Sequence, residues 1–212
     1  TVEKRMAKVE KQAKSGNKEA QSEYLLLERL RDHMIKGKPV RLFKPGSEFE
    51  EKTIRSLNRL TEKPVLYVAN LEEKNGNESC LGILEEIAKE EKTELVPIYG
   101  KLEAELAELD ENEKVEFLKE MGLSESGLKR LVKSAYKLLD LITFYTTNGV
   151  ELRAWSIKKG TKAPQAAGKI HSDFERGFIK AEVISYEDYI KHKSELKIRE
   201  LGLLRIEGKD YQ

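Results

Sequence analysis

The sequence predicts a mixed fold with α/β and α+β parts: a helical segment, an α/β segment with a parallel sheet, and a small α+β module. Apolar side chains first recur every three or four residues, which is typical of amphipathic helices. Two short apolar runs follow at residues 65–69 and 95–99. Strand, glycine turn, helix and strand then succeed one another within residues 153–184. The predicted segments are 1–63, 64–140 and 141–212.

The first segment is predicted to be a helical hairpin followed by a third helix. The apolar stripes of its two arms are Val2, Met6, Val9 and Ala13, and Tyr24, Leu27, Leu30 and Met34 or Ile35. Ser15, Gly16 and Asn17 interrupt the periodicity, as a tight polar turn between antiparallel helices would. Residues 37–46 contain two prolines and form a loop before a helix over residues 47–60.

Lysines crowd the first arm of this hairpin, and the candidate partner-binding residues among them are Lys8, Lys11 and Lys14. Such a run of charge usually marks a solvated helix face. The other interpretation is a protruding basic hairpin that touches RNA or a ribosomal surface. The sequence alone leaves both open.

The net charge of +1 conceals a division along the chain. Residues 1–63 carry 16 basic and 10 acidic side chains, residues 64–140 carry 10 and 18, and residues 141–212 carry 13 and 10. The two positive outer segments are therefore expected to face an anionic partner. No apolar run is long enough to span a bilayer, and a single cysteine excludes an internal disulfide framework. These features predict a cytoplasmic protein without a membrane association.

Residues 65–69 are predicted to form a strand buried on both faces of a parallel sheet, with Asn70 at its carboxyl end. Open α/β sheets bind ligands at that edge, so an Asn-x-x-acid sequence there indicates a site that reads a nucleotide base. Residues 95–99 are predicted to form a second strand, followed by Gly100. The alternative is that Asn70 only caps the following turn. Lys101 either lies over the base or points to solvent.

The carboxylates after the second strand are predicted to form a solvated face, since neither histidine nor cysteine accompanies them for metal binding. They are Glu103, Glu105, Glu108, Asp110 and Glu111. Cys80 is expected to pack at the start of a helix. No Ser/His/Asp or Cys/His pairing is visible, and no catalytic or metal-binding residue is predicted in this chain.

Residues 153–184 have the element order of a β-grasp module. Residues 153–157 alternate as a half-buried strand does, Gly160 ends it, and Pro164 suits the first turn of a helix. The apolar side chains of that helix are Ile170, Phe174 and Phe178. A further strand is predicted over residues 179–184.

Basic residues surround the predicted turn and helix, with Trp155 and Phe178 nearby. The candidates for RNA or partner binding here are Lys158, Lys159, Lys162, Lys169, His171 and Arg176. Basic side chains interleaved with aromatic ones can hold phosphates and stack bases. RNA contact and protein docking both remain open, because the β-grasp fold hosts both. For His171 a hydrogen-bonded structural role is the first expectation.

Several stretches resemble the YchF-type branch of the Obg-like ATPases, a class of P-loop NTPases that carry a TGS domain. The stretch TKAPQAAGKIHSDFERGFIKAEVI (161–184) closely resembles that family's TGS block, and RAWSIKKG (153–160) and EGKDY (207–211) also fit. Residues 70–73, NLEE, resemble its N-x-x-E variant of the GTPase base motif. The resemblance implies a coiled-coil insertion over 1–63, the C-terminal part of an OBG-type G domain over 64–140, and a TGS domain lacking its last strand over 141–212.

The resemblance assigns nucleotide base binding to Asn70, Leu71, Glu73, Gly100 and Lys101. In the GTPase motif an Asp carboxylate accepts two N–H bonds from guanine, whereas Glu is one methylene longer and should miss that geometry. The family pattern therefore implies binding and hydrolysis of ATP, and of GTP less selectively, with Mg²⁺. No G-x-x-x-x-G-K-[ST] motif occurs here, so the phosphate loop and the magnesium ligands are expected in a preceding part.

The expected partners are ATP or GTP and the large ribosomal subunit or RNA, and the protein is expected to be a monomer. The chain is expected to be a piece of a longer protein and to be inactive alone. The alternative function is a docking module for RNA, the ribosome or a protein that acts independently of nucleotide.

Overall fold

The computed structural model describes residues 1–72, 78–147 and 151–212, and it divides the chain into two compact units, Thr1–Ser134 and Ala135–Gln212. No helix in these described ranges is long and apolar enough to cross a membrane. The fold class is mixed α/β, as predicted.

A helical hairpin opens the first unit and confirms the predicted pair of arms. Its helices are α1 (Val2–Lys14) and α2 (Lys18–Ile35). Gly16 adopts a φ of 90° in the turn, a conformation that glycine reaches without steric cost. Asn17 begins α2, and its side chain accepts a hydrogen bond from the N–H of Ala20 at 3.0 Å. The apolar stripes of both arms enter one core cluster: Val2, Met6, Leu26, Leu27, Leu30, Val40, Ile54 and Leu57.

The chain after the hairpin forms a 3₁₀ turn (Val40–Leu42), helix α3 (Glu48–Ser56) and a second 3₁₀ turn (Leu60–Glu62). The predicted extension of the third helix to residue 60 is wrong. Asn58 adopts a φ of 49°, which a right-handed helix cannot contain.

The α/β part contains strands β1 (Tyr67–Asn70) and β2 (Leu95–Ile98), which pair in parallel with Asn70 opposite Ile98. Helix α4 (Glu78–Glu90) connects them. The prediction that the first strand is buried on both faces is wrong for these two strands, because Val68 is 44% exposed while Ala69 on the other face is buried. Three helices follow: α5 (Gly100–Glu108), α6 (Glu111–Glu120) and α7 (Gly127–Leu138).

The second unit contains two antiparallel strand pairs and four short helices. Strand β3 pairs with β4, and β5 pairs with β6. The strands are β3 (Leu141–Thr147), β4 (Leu152–Lys158), β5 (Ala181–Val183) and β6 (Arg205–Glu207). The helices are α8 (Ala163–Ile170), α9 (Ser172–Arg176), α10 (Tyr186–His192) and α11 (Glu195–Glu200). Pro164 lies in the first turn of α8, as predicted.

The predicted single helix through Phe178 is wrong, because the chain leaves the helical conformation at His171, with φ −160° and ψ 140°. There the Nδ1 atom of His171 accepts the N–H of Asp173 at 3.1 Å and so caps α9. The sequence does contain a signal for this break, since Ser-Asp directly after His171 is typical of a helix start. The predicted strand over residues 179–184 is also shorter, spanning Ala181–Val183.

Candidate functional site

The carboxyl edge of the parallel strand pair brings Asn70 and Gly100 together. The Oδ1 atom of Asn70 accepts a hydrogen bond from the backbone N–H of Gly100 at 3.0 Å. The N–H of Leu71 donates to the carbonyl of Ile98 at 2.8 Å, which extends the strand pairing by one residue. Two residues that the sequence predicted for one site, thirty positions apart, therefore touch at this edge.

Gly100 is required at its position by this close approach. A Cβ atom there would lie 2.9 Å from Oδ1 of Asn70 and 3.4 Å from its Nδ2. Any other residue would therefore displace the Asn70 carboxamide. Gly100 is also the first residue of α5, so its N–H is one of the donors that a helix leaves without a partner in its own first turn.

The bond to Gly100 orients the rest of the Asn70 side chain. Its Nδ2 group makes no hydrogen bond to the described residues, and the side chain is exposed. An amide group in this position offers two N–H donors to a ligand. The capping interpretation of Asn70 assigned its oxygen to the following turn, whereas the structure bonds that oxygen to the neighbouring loop.

The other predicted base-binding residues are placed less completely. Leu71 is half-buried at the end of β1, and Lys101 is exposed in the first turn of α5. Glu73 lies outside the described residues, so its role in base selection stays a prediction.

Glu103 is a site residue that sequence reasoning missed. It was assigned to a solvated face, but its Oε1 accepts the N–H of Gly127 at 2.6 Å and its Oε2 accepts that of Leu128 at 3.2 Å. These are N–H groups in the first turn of α7, where a carboxylate also interacts favourably with the helix dipole. The solvated-face prediction is therefore wrong for Glu103.

Asp110 was also wrongly assigned to that solvated face, because it caps α6 and accepts the N–H groups of Asn112 at 2.8 Å and Glu113 at 3.0 Å. The remaining carboxylates of the set, Glu105, Glu108 and Glu111, are exposed. No group of three His, Cys, Asp or Glu side chains in the described parts of the chain could hold a metal ion. Cys80 is exposed on α4, so the prediction that it packs is wrong.

The basic surface of the hairpin lies opposite its core. Lys4, Lys8 and Lys11 fall within about 60° of one another on α1 at 100° per residue, on the face away from the buried Val2, Met6 and Val9. We call Lys4, Lys8 and Lys11 the lysine stripe. Its members are exposed and make no ion pair with the described residues. Lys14 differs, because it pairs with Glu10 at 2.6 Å.

The basic residues of the second unit are partly neutralised. Lys162 pairs with Asp210 at 2.7 Å, and Arg176 pairs with Asp173. Lys158, Lys159 and Lys169 are exposed and make no ion pair within the described ranges. The predicted structural role of His171 is confirmed by its capping bond to Asp173.

The predicted aromatic platform in this unit is not assembled as a stacking surface. Trp155 is half-buried, pairs across the sheet with Phe144, and donates from Nε1 to the hydroxyl of Thr146 at 2.9 Å. Phe178 is half-buried beside a shallow groove of about 540 Å³ that Phe174 and Ile179 also line.

Parallel strands with an Asn and a glycine joined at their carboxyl edge, followed by a small α+β unit, define the class: the C-terminal part of a P-loop NTPase fold with a TGS-like domain. Residues 141–212 match the model of the YchF GTPase C-terminal family, described as "Protein of unknown function (DUF933)". The chain belongs to the YchF family.

Relatives match over the whole chain. It is 44% identical over 212 residues to the "Ribosome-binding ATPase YchF" of Escherichia coli O157:H7, and 44% identical over 216 residues to that of Bacillus subtilis (strain 168). All of this chain and 58% of each relative are covered. The structure of the Schizosaccharomyces pombe YchF GTPase matches with a TM-score of 0.78 at 31% identity, covering 99% of this chain and 60% of that one. The chain thus spans 58% of the length of these curated relatives.

Proposed function

We propose that this chain is part of a P-loop NTPase that binds and hydrolyses ATP, and GTP less selectively, and that associates with the ribosome in the cytoplasm. Within that protein the chain supplies the base-binding edge and docking surfaces. The observation that carries the proposal is the hydrogen bond between Asn70 and Gly100 at the carboxyl edge of the parallel strands. The names of the relatives, ribosome-binding ATPases, support it.

The geometry of Asn70 suits a purine. Adenine and guanine both present N7 as an acceptor, and the Nδ2 donor of Asn70 can meet it while Oδ1 stays bonded to Gly100. Leu71 supplies apolar surface for the face of the base. Because N7 is common to both purines, the choice of ATP over GTP rests on another residue, and we assign it to Glu73.

Phosphate binding and magnesium binding belong to another part of the protein in this proposal. The sequence lacks the glycine-rich phosphate loop motif, and the described residues do not fit a magnesium site. The 212-residue chain alone is therefore expected to hydrolyse neither ATP nor GTP, and turnover by a pure preparation would contradict this. We derive no step of the reaction through the metal.

An Asn70→Ala variant of the full-length protein tests the base site. Loss of one hydrogen bond should weaken ATP binding about tenfold, measured by titration with a fluorescent ATP analogue. Glu105→Ala on the exposed face of α5 is the matched control. Equal affinities of Asn70→Ala and the control would refute the assignment. Glu73→Asp should raise GTP affinity, because Asp restores the bidentate contact to guanine.

The lysine stripe is the proposed ribosome-docking surface of the hairpin. An exposed row of unpaired cations suits the RNA phosphates of a ribosomal subunit. Replacing the three lysines by Gln should weaken ribosome co-sedimentation and lower the slope of log K against log[salt] by roughly 2 to 3 units at about 0.7–0.9 per phosphate contact. Lys52, Lys89 and Lys119, exposed on other helices, provide a control triple with the same charge change.

The alternative function, a docking module independent of nucleotide, is favoured by the second unit's unpaired Lys158, Lys159 and Lys169. The two functions differ in one measurement. If nucleotide regulates docking, ribosome affinity of the full-length protein changes between ATP-bound and nucleotide-free states. If the affinity is the same in both states, the alternative is correct.

A further inference from the structure

We propose that Glu103 is a positioning residue for base recognition, which holds Gly100 against Asn70 by fastening α5 to the start of α7. This inference rests on the proposed function of the Asn70–Gly100 edge. Glu103 is not expected to touch the nucleotide itself.

Glu103 is placed to act on Gly100 through the first turn of α5. Its own N–H donates to the carbonyl of Tyr99 at 2.9 Å, the bond that closes this turn. Its carboxylate reaches away to the first turn of α7, where both oxygens accept backbone N–H groups. A half-buried carboxylate that accepts two N–H bonds is held in one orientation. The turn that carries Gly100 is thereby fixed to a second helix.

The start of α7 is itself packed too closely to move freely. Gly127 is buried, and a Cβ atom there would lie 2.9 Å from Oε1 of Glu103 and 3.1 Å from Cγ2 of Ile98. Ile98 is the residue paired with Asn70 across the sheet. Gly127 therefore contacts both the carboxylate clamp and the strand that carries the base-binding edge.

Arg130 ties α7 to the same edge. Its Nη2 donates to the carbonyl of Pro97 at 3.0 Å, and Pro97 pairs with Ala69. The contacts form a closed ring through residues of β1, β2, α5 and α7: Asn70, Gly100, Glu103, Gly127, Arg130 and Pro97. Loss of the Glu103 carboxylate opens this ring on the side of Gly100.

The predicted effect is selective for the base. If α5 is released, Gly100 no longer holds Oδ1 of Asn70, and the Nδ2 donor loses its fixed direction toward the purine. Phosphate binding does not depend on this ring. A nucleotide should therefore bind more weakly, whereas inorganic triphosphate, which has no base, should bind unchanged.

The test is Glu103→Gln in the full-length protein, with Glu105→Gln on the same helix as the matched control. The amide keeps the size of the side chain, but its NH₂ group cannot accept an N–H bond, so one of the two bonds to α7 is lost. Affinities for ATP and for inorganic triphosphate are measured by displacement of a fluorescent ATP analogue. We expect ATP affinity to fall on the order of tenfold, with triphosphate affinity and the Glu105→Gln control unchanged.

Two results would overturn the inference: unchanged ATP affinity, or a parallel loss of ATP and triphosphate affinity in a variant that melts at the wild-type temperature. If Glu103→Gln melts early, Gly127→Ala becomes the deciding variant, since its methyl group displaces the same carboxylate. It should weaken ATP and spare triphosphate, and any other outcome counts against the proposal. Asn70→Ala separates the two levels: if it spares the ratio of ATP to triphosphate affinity, the base site is wrong. If it alters the ratio and Glu103→Gln does not, only this inference fails.

Discussion

The two compact units bury their apolar side chains very differently. In the described part of the chain every buried apolar residue except Ile157 and Ile198 lies in the first unit, where Leu26, Leu27 and Leu30 are fully enclosed. The second unit leaves Phe174, with 54% exposure, and Ile206 in contact with solvent. The difference teaches that the hairpin is stabilised by hydrophobic packing, whereas the second unit depends more on strand pairing and helix caps.

A probe for each unit makes this comparison measurable. Trp155 is the chain's only tryptophan and lies in the second unit, so its fluorescence reports that unit. Far-UV circular dichroism reports both units, with the long helices α1 and α2 contributing strongly. The predictions below use these two signals in urea titrations of the 212-residue chain.

The largest expected effect is that of Leu27→Ala in the hairpin core. Leu27 is completely buried, so the substitution should cost about 2–5 kcal/mol of unfolding free energy through lost burial and the cavity left behind. Leu25→Ala, at a position 60% exposed on the same helix, should cost less than about 0.5 kcal/mol. Equal costs for the two leucines, followed by circular dichroism, would contradict the packing argument.

A smaller effect is expected from Arg41→Met, which removes the ion pair that Arg41 makes with Glu91. The guanidinium of Arg41, which donates to Glu91, holds the pKa of that carboxyl below its ordinary value, and the hydroxyl of Tyr67 at 3.0 Å adds to this. Leaving Glu91 with Tyr67 alone should cost about 1–3 kcal/mol. Arg55→Met, which breaks an exposed pair with Glu51, is the control and should cost much less.

The pH dependence of this pair has a definite sign. Because the folded pKa of Glu91 is lowered, its contribution is fully present above the unfolded value of about 4.3 and is lost as pH falls through the folded value. The wild-type chain should therefore lose more stability than Arg41→Met on acidification below about pH 4. Parallel stability curves for the two proteins would exclude this role of Glu91.

Ser185→Ala tests the contribution of caps in the second unit. The hydroxyl of Ser185 accepts the N–H of Asp188 at 3.1 Å and donates to its carboxylate at 2.6 Å. Removing this cap of α10 should cost about 0.5–2 kcal/mol, seen in Trp155 fluorescence. Ser172→Ala, at an exposed position whose hydroxyl has no partner among described residues, should leave the midpoint unchanged. A cost no larger than that of Ser172→Ala would show that caps do not stabilise this unit.

The smallest effect is expected from Lys162→Ala. Lys162, hydrogen-bonded to Asp210, lowers the pKa of that carboxyl below its ordinary value. Both side chains are exposed, so solvent screens the pair and the urea midpoint should stay unchanged. The substitution should instead return the pKa of Asp210 toward its ordinary value in an NMR titration. An unchanged Asp210 pKa would mean that the pair does not persist in solution.

Local sequence patterns predicted much of the fold. The apolar spacing in α1 and α2 and the Ser-Gly-Asn turn located the hairpin, because the helical period and a polar break are local properties. Pro164 located the start of α8, and Asn70 after an apolar run located the carboxyl edge of β1. The helix break at His171 was missed because the apolar spacing continues through it, although Ser-Asp after His171 favours a new helix start.

The sequence by itself determined the family, the order of helices and strands, and the residue types at the proposed base-binding edge. Tertiary structure alone decided which of those residues meet: Asn70 with Gly100, and Glu103 with Gly127, 30 and 24 positions apart. A glutamate in an acidic helix has the same local pattern whether it faces water or caps another helix. Only the folding of α5 and α7 onto one sheet edge distinguishes Glu103 from Glu105, because hydrogen bonds depend on distance in space and not on separation along the chain.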